Sequence, residues 1–138
     1  MKTVAILSGK GGSGKSTVAL HLAVAAERRG YSVAVLDIDP QASAATWADS
    51  REGDTPSVTS LQPSRVIKAL ETAREAGAAL AIIDTAPHSA DAAMIAADAA
   101  DLILVPCRPG ILDLRAIGST ARIVKVAGKP QGHAVAQH

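Results

Sequence analysis

Short apolar runs punctuate the chain: Val4-Ala5-Ile6-Leu7, Val33-Ala34-Val35-Leu36, Leu80-Ala81-Ile82-Ile83 and Leu102-Ile103-Leu104-Val105. They are continuous rather than alternating, the pattern of strands buried on both faces of a parallel sheet. Helical spacing fills the intervals. Val18, Leu22, Ala25 and Ala26 recur on one helical face, and Gly30 stands where a left-handed C-terminal residue belongs. Ser64 is placed to cap a second helix that turns Val66, Leu70 and Ala73 inward and ends at Gly77. Leu114, Ile117, Ala121 and Val124 mark a later helix, and Pro56 to Leu61 reads as a short extra strand. Strands alternating with helices in this way predict right-handed crossovers and an α/β sandwich with helices on both faces of the sheet. Ligands of such folds bind at the carboxyl edge of the strands. The polar punctuation falls there: Gly9 to Ser16 after the first run, Asp37 to Gln41 after the second, Asp84 after the third.

Composition sharpens this picture. A length of 138 residues with 48% hydrophobic content suits one domain with an ample core. The aromatics are Trp47 and Tyr31 alone, so packing must rely on close approach of alanine and valine. A formal charge of +1 with scattered basic residues lacks the dense cationic footprint of a strong nucleic-acid binder, leaving room for weak phosphate-backbone contacts. The lone Cys107 excludes an internal disulfide and any paired-cysteine metal or cluster site, and fits a reducing cytoplasm. The apolar stretch Val4 to Leu7 is too short for a signal peptide, and no segment reaches membrane-spanning length. His21, His133 and His138 have no ligand spacing among them; His88 reads as a solvated loop residue, and Arg108 and Arg115 as a charged edge that could also serve a dimer face or DNA phosphates.

The chemistry is concentrated in "GKGGSGKST", residues 9 to 17. Gly9, Gly14, Lys15 and Ser16 match G-x-x-x-x-G-K-[ST] between an expected strand and an expected helix. At average composition this octet arises by chance in about one chain in two hundred of this length, so an ordinary glycine turn is the weaker reading. The glycines let backbone N–H groups curl around phosphate oxygens, and the helix N-terminus adds partial positive charge. Lys15 would reach the β- and γ-phosphates, Ser16 would ligate Mg²⁺, and Thr17 could donate to the α-phosphate. In "LDIDPQAS", alternation along a strand would send Asp37 and Asp39 to opposite faces unless the strand has already ended, so one of them is expected to face the phosphates. "IIDTAP" sets Asp84 at a strand tip, from which a carboxylate holds Mg²⁺ through its water shell.

Together, "KGGSGKST", "LDIDPQAS" and "IIDTAP" resemble the ParA/MinD superfamily of deviant Walker A ATPases, and "VPCRPGILDLRAI" resembles the segment after the next strand in small ParA-type partition proteins. The similarity runs from about Lys2 to Val126. It implies a P-loop NTPase three-layer sandwich with a mostly parallel sheet, ATP and Mg²⁺ as cofactors, and a nucleotide cradle formed by Gly9, Lys10, Gly11, Gly12, Ser13, Gly14, Lys15, Ser16 and Thr17. It further implies that Lys10 reaches across an ATP-bound homodimer to the partner's phosphates, joining Lys15 in catalysis. Asp39 would orient or activate the attacking water, with Asp84 as the Walker B acid and Ser16, Asp39 and Asp84 disposed around the metal. The function implied is plasmid or chromosome partitioning with a centromere-binding adaptor protein and weak nonspecific DNA binding. No amphipathic membrane helix of the MinD kind is visible at the C-terminus. Alternatives are a relative that positions another cargo, and a nucleotide-binding module without turnover. Small members of the family continue with a further strand, loop and helices that contribute to the adenine pocket and the DNA-binding surface. Here "GKPQGHAVAQH" closes the sequence, polar and without a convincing buried strand, so residues 1–138 are expected to form a single ParA-like domain with its C-terminal strands missing.

Overall fold

The continuous apolar runs become strands whose alternate side chains serve two different helix layers. The computed structural model describes residues 1–7, 14–108, 110–128 and 131–135, with residues 111–117, 119 and 131–135 described by their backbone alone. Among these, strands β1 (Lys2–Ile6), β2 (Val33–Asp37), β3 (Ser57–Ser60), β4 (Leu80–Asp84), β5 (Leu102–Cys107) and β6 (Gln131–Val135) form one sheet in the order β3-β2-β4-β1-β5-β6. Every pairing is parallel. Helices α1 (Lys15–Arg28), α2 (Ser43–Asp49), α3 (Val66–Glu75), α4 (Ala90–Ala99) and α5 (Ile111–Ala127) make the connections.

Two cores result, one on each face. Val4, Ile6, Val33, Val35 and Ile82 point toward Ala19 and Ala23 of α1 and Ala44 of α2. Their neighbours Ala5, Leu7, Leu36, Ala81, Ile83, Ile103 and Val105 point the other way, against Val66 and Leu70 of α3, Ala92, Ala96 and Ala97 of α4 and Val124 of α5. The expected three-layer α/β architecture is therefore present. Period-two alternation is hidden in the sequence because both faces are covered by apolar helices.

Alanine fixes the helix-to-sheet distance. The buried stripe of α1 is centred on Ala19 and Ala23, both fully buried, with Val18, Leu22 and Ala26 at its margins and Ala25 exposed. Gly30 follows with φ +88, and the amides of Gly30 and Tyr31 close the helix on the carbonyls of Glu27 and Ala26. Pro56 to Leu61 contains β3 as expected, one strand out from β2.

The structure differs from the sequence reading at several points. Ser64 caps nothing: it lies inside a 3-10 turn, Pro63–Arg65, that leads into α3. Proline at the first position of that turn favours the tighter winding over a side-chain cap. Ala121 of α5 is exposed, and Thr120 and Val124 are buried instead. Helices α2 and α4 carry no expectation from periodicity, because runs such as "ADAAMIAADA" offer alanine on every face and alanine is the strongest helix former without marking a direction. The largest correction concerns the tail. Gln131–Val135 forms β6, in register with Ile103–Cys107 of β5. Strands pair through backbone groups, so an outer strand needs no apolar run to announce it. Among the described residues no helix is long and apolar enough to cross a membrane.

Ile82 sits at the middle of the sheet with no exposed surface. Ile82→Ala is expected to cost about 3 kcal/mol through lost burial and the residual cavity, read from urea unfolding with unchanged slope.

Candidate nucleotide-binding site

The sheet brings its acids together through register. Ile6, Asp84 and Asp37 are paired across β1, β4 and β2, so three strand ends stand level at the carboxyl edge. Asp84 and Asp37 each lie two residues beyond a side chain of the α1-facing core, Ile82 and Val35, and so turn to the same face as α1. Both are fully buried. Thr85 then donates from Oγ1 to the carbonyl of Ile6 at 2.8 Å and pins the tip of β1, just before the glycine loop, to β4.

Residues 8–13 lie outside the described residues, and with them Gly9, Lys10, Gly11, Gly12 and Ser13 of the expected cradle. Gly14, Lys15, Ser16 and Thr17 are described. Gly14 precedes α1 at φ +90, where a side chain would be strained whatever the space around it. The first turn of α1 has no side-chain cap and no acidic residue, which leaves its positive end disposed toward an anion. Lys15 is 94% buried by its 6% exposure, Ser16 is half-buried and Thr17 is exposed.

Ser16 and Asp84 meet. The Ser16 hydroxyl donates to Asp84 Oδ2 at 2.6 Å, joining the start of α1 to the tip of β4 across 68 residues of sequence. The other oxygen, Asp84 Oδ1, is buried without a hydrogen-bond partner among the described residues. Burial is the main influence raising the Asp84 carboxyl to about 6; the charges of Asp37 and Asp39 raise it further, while the Ser16 hydrogen bond and the Lys15 ammonium oppose them. Burial likewise lowers Lys15 from the ordinary lysine range, opposed by Asp84 and then Asp39. Among the described residues, a hydroxyl and the carboxylates of Asp37, Asp39 and Asp84 thus gather around the desolvated Lys15 ammonium. An orphaned carboxylate oxygen beside a hydroxyl suits a hard divalent cation that keeps water and phosphate oxygens in its remaining positions. Mg²⁺ fits this donor set. No group of three His, Cys, Asp or Glu among the described residues could hold a metal by itself.

The two aspartates of "LDIDPQAS" separate because β2 ends at Asp37. Asp37 turns inward and accepts from the amides of Asp39 and Ala45, both at 3.1 Å. Asp39 is half-buried in the following loop, close enough to influence both Lys15 and Asp84, and accepts from the Gln41 amide at 2.9 Å. His88 is exposed at φ +60 in the turn between β4 and α4. Arg108 is exposed after β5, and the side chain of Arg115 lies outside the described residues. Trp47 of α2 carries the Arg51 guanidinium 4.3 Å above its ring, a contact within this chain. A groove of about 730 Å³ between α3 and β2–β3 is lined by residues such as Leu36, Thr59 and Ala73; it shares no residue with this site. Sequence reasoning missed Thr85 and the anchoring role of Asp37. A threonine directly after a strand-end acid was a signal available for the first; nothing local distinguishes the second.

A carboxyl whose native value exceeds its unfolded one stabilises the fold below the unfolded value, and that contribution is lost as pH rises through the native value. Asp84 should therefore weaken the nucleotide-free protein between pH 4 and pH 7. Asp84→Asn is expected to raise unfolding stability at pH 7.5 by about 2 kcal/mol, with the advantage shrinking toward zero near pH 4, as measured by urea titrations across that range.

Comparison with known proteins agrees with this geometry. The model of the CobQ/CobB/MinD/ParA nucleotide-binding domain matches residues 4–131. The maintenance of carboxysome distribution protein A of Gloeobacter kilaueensis is 39% identical over 121 residues, covering 86% of this chain and 55% of that protein. Protein ParA of Rhizobium radiobacter is 34% identical over 117 residues, covering 82% of this chain and 51% of that protein. The chain spans about half the length of these curated relatives. Among solved structures, the septum site-determining protein MinD of Pyrococcus horikoshii, complexed with Mg-ADP, superposes with a TM-score of 0.77 at 20% identity, over 96% of this chain and 68% of that one, and shows the shared fold. With a strand-end acid, a lysine-bearing helix start and a parallel sheet in the matched region, the chain belongs to the CobQ/CobB/MinD/ParA family of nucleotide-binding domains.

Proposed function

We propose that this chain is a Mg²⁺-dependent ATPase whose ATP-bound form pairs two copies and drives the partitioning of plasmid or chromosomal DNA with a centromere-binding adaptor. The observation that carries the reading is the 2.6 Å contact from Ser16 to Asp84 beside the unpartnered Asp84 Oδ1, at the N-terminus of α1. Ser16 and Asp84 would hold Mg²⁺, which when bound screens the β- and γ-phosphate charge. Gly9 to Thr17 wrap the phosphates, and Lys15, already desolvated, holds its ammonium against them. Asp39 accepts a hydrogen bond from the attacking water and turns its oxygen toward the γ-phosphorus; a new P–O bond forms as the bond to the β-phosphate oxygen breaks, and the water's proton passes to the phosphate product and solvent, giving ADP and inorganic phosphate. The assignment of Lys10 to the partner subunit's phosphates rests on family resemblance, and its physical sense is that of an arginine finger. Weak DNA binding by the paired form belongs to the same reading.

A second reading keeps the chemistry and changes the cargo. The 39% identity to a carboxysome distribution protein favours it, since that relative's name concerns the placement of a protein body.

Lys15→Ala is expected to abolish ATP binding in calorimetry with Mg²⁺. Asp39→Ala and Lys10→Ala are each expected to lower steady-state ATP turnover about a hundredfold, Asp39→Ala with nucleotide affinity retained and Lys10→Ala with loss of the ATP-dependent dimer in light scattering. Wild-type turnover in both would end the paired-subunit mechanism, and tight ATP binding without phosphate release from the unaltered chain would make it a nucleotide-binding module only.

A further inference from the structure

Asp37 is a fully buried carboxylate at the end of β2 whose role in the chemistry above is unassigned. Its Oδ1 accepts from the amide of Asp39, two residues on, and its Oδ2 from the amide of Ala45, the third residue of α2. Between those two anchors runs the loop that bears Asp39. The loop is otherwise held by its own turn: Ala42 donates its amide to the Asp39 carbonyl at 2.8 Å, and Gln41 donates to Asp39 Oδ1 at 2.9 Å. Ala42, the capping residue of α2, sits at φ 52 and has no side chain with which to cap. The helix start thus depends on an acceptor supplied from the strand eight residues back in sequence. Asp37 is itself immobile, because the Ile38 amide donates to the Asp84 carbonyl at 2.9 Å and the Leu61 amide to the Asp37 carbonyl at 3.0 Å.

From this geometry we propose that Asp37 is a positioning residue for the reaction: one rigid carboxylate clamps both ends of the 38–45 segment and so fixes where Asp39 presents its oxygen to the water. The inference rests on the reading of Asp39 as the water-orienting group. The chemistry of the clamp explains why an aspartate stands there. A carboxylate offers acceptors at both oxygens, so two amides pointing at it from different directions are both satisfied. Asparagine of the same shape must turn its NH₂ toward one of them and leave a buried N–H opposed by a donor. A cap of α2 alone would need one acceptor. Bonding to the Asp39 amide as well ties the helix start to the residue that acts.

The test compares Asp37→Asn, Asp39→Ala and the double variant in the full chain, by ATP turnover with Mg²⁺ and by amide hydrogen exchange. Asp37→Asn is expected to lower kcat about tenfold or more while KM for ATP moves less than about twofold, because the phosphate contacts on α1 are untouched. Combined with Asp39→Ala it should add nothing, the sign of two residues acting as one unit. Exchange at the Asp39 and Ala45 amides should quicken in Asp37→Asn with the core strands still protected. Multiplying effects, a KM rise equal to the kcat loss, or unchanged exchange at Asp39 would each overturn the proposal. The exchange arm requires no turnover, so it reports on the clamp even if Asp39→Ala proves fully active, a result that would instead sink the role of Asp39. If Asp37→Asn does not fold, Ala45→Pro removes one donor at a first-turn position and leaves the carboxylate; the same kcat loss at constant KM supports the clamp, and wild-type turnover overturns it.

Discussion

The short hydrogen bond from Ser16 to Asp84 is the constraint around which the site is built. It ties the start of the first helix to the end of the middle strand, the junction where a parallel α/β sheet opens to ligands. Satisfying it requires β4 to stand beside β1 in register, and it requires α1 to pack on the face toward which Asp84 turns. The packing that meets both demands is made of small side chains. Ala19 and Ala23 on α1, fully buried against Ile6, Val35 and Ile82, let the helix lie close to the sheet, and the two-sided core holds that distance.

The same closeness sets the electrostatics. Burial makes the Asp84 carboxylate costly, Asp37 and Asp39 increase that cost, and a partly compensating ammonium on Lys15 is itself desolvated. Among the described residues, carboxylates crowd the carboxyl edge of the sheet, an arrangement that the proposed divalent cation and polyphosphate would relieve together. In the proposed complex the cation would offset the carboxylates, and the phosphates would give the lysine and the helix terminus their counter-charge. On the proposed reading, stability given up at this site would be recovered on binding.

The loop after β2 extends the logic outward. Its acid, Asp39, sits on a turn with few internal bonds, and beneath it Asp37 accepts from the amides of Asp39 and Ala45 while the Ile38 amide ties the end of β2 to the Asp84 carbonyl. In the proposed reaction the water-orienting Asp39 would act from a loop, where it can approach the phosphate, and Asp37, which fixes it, stands at a strand end, where backbone pairing leaves little freedom.

How much of this was legible in the sequence follows from which interactions are local. The apolar runs at 4–7, 33–36, 80–83 and 102–105 determined four strands and the parallel class, because burial on both faces demands continuous hydrophobicity. Gly14, Lys15 and Ser16 marked an expected phosphate loop, since conformational freedom, charge and a hydroxyl must follow one another there. Alanine-rich α2 and α4 were invisible because alanine marks no face, and β6 because an edge strand is paired through backbone that every residue shares. Only the tertiary structure decided which of Asp37 and Asp39 turns inward, what Thr85 holds, and that one oxygen of Asp84 has no partner among the described residues. Those outcomes depend on where β2 stops and on strands far apart in the chain lying side by side, and sequence order carries no distance between them.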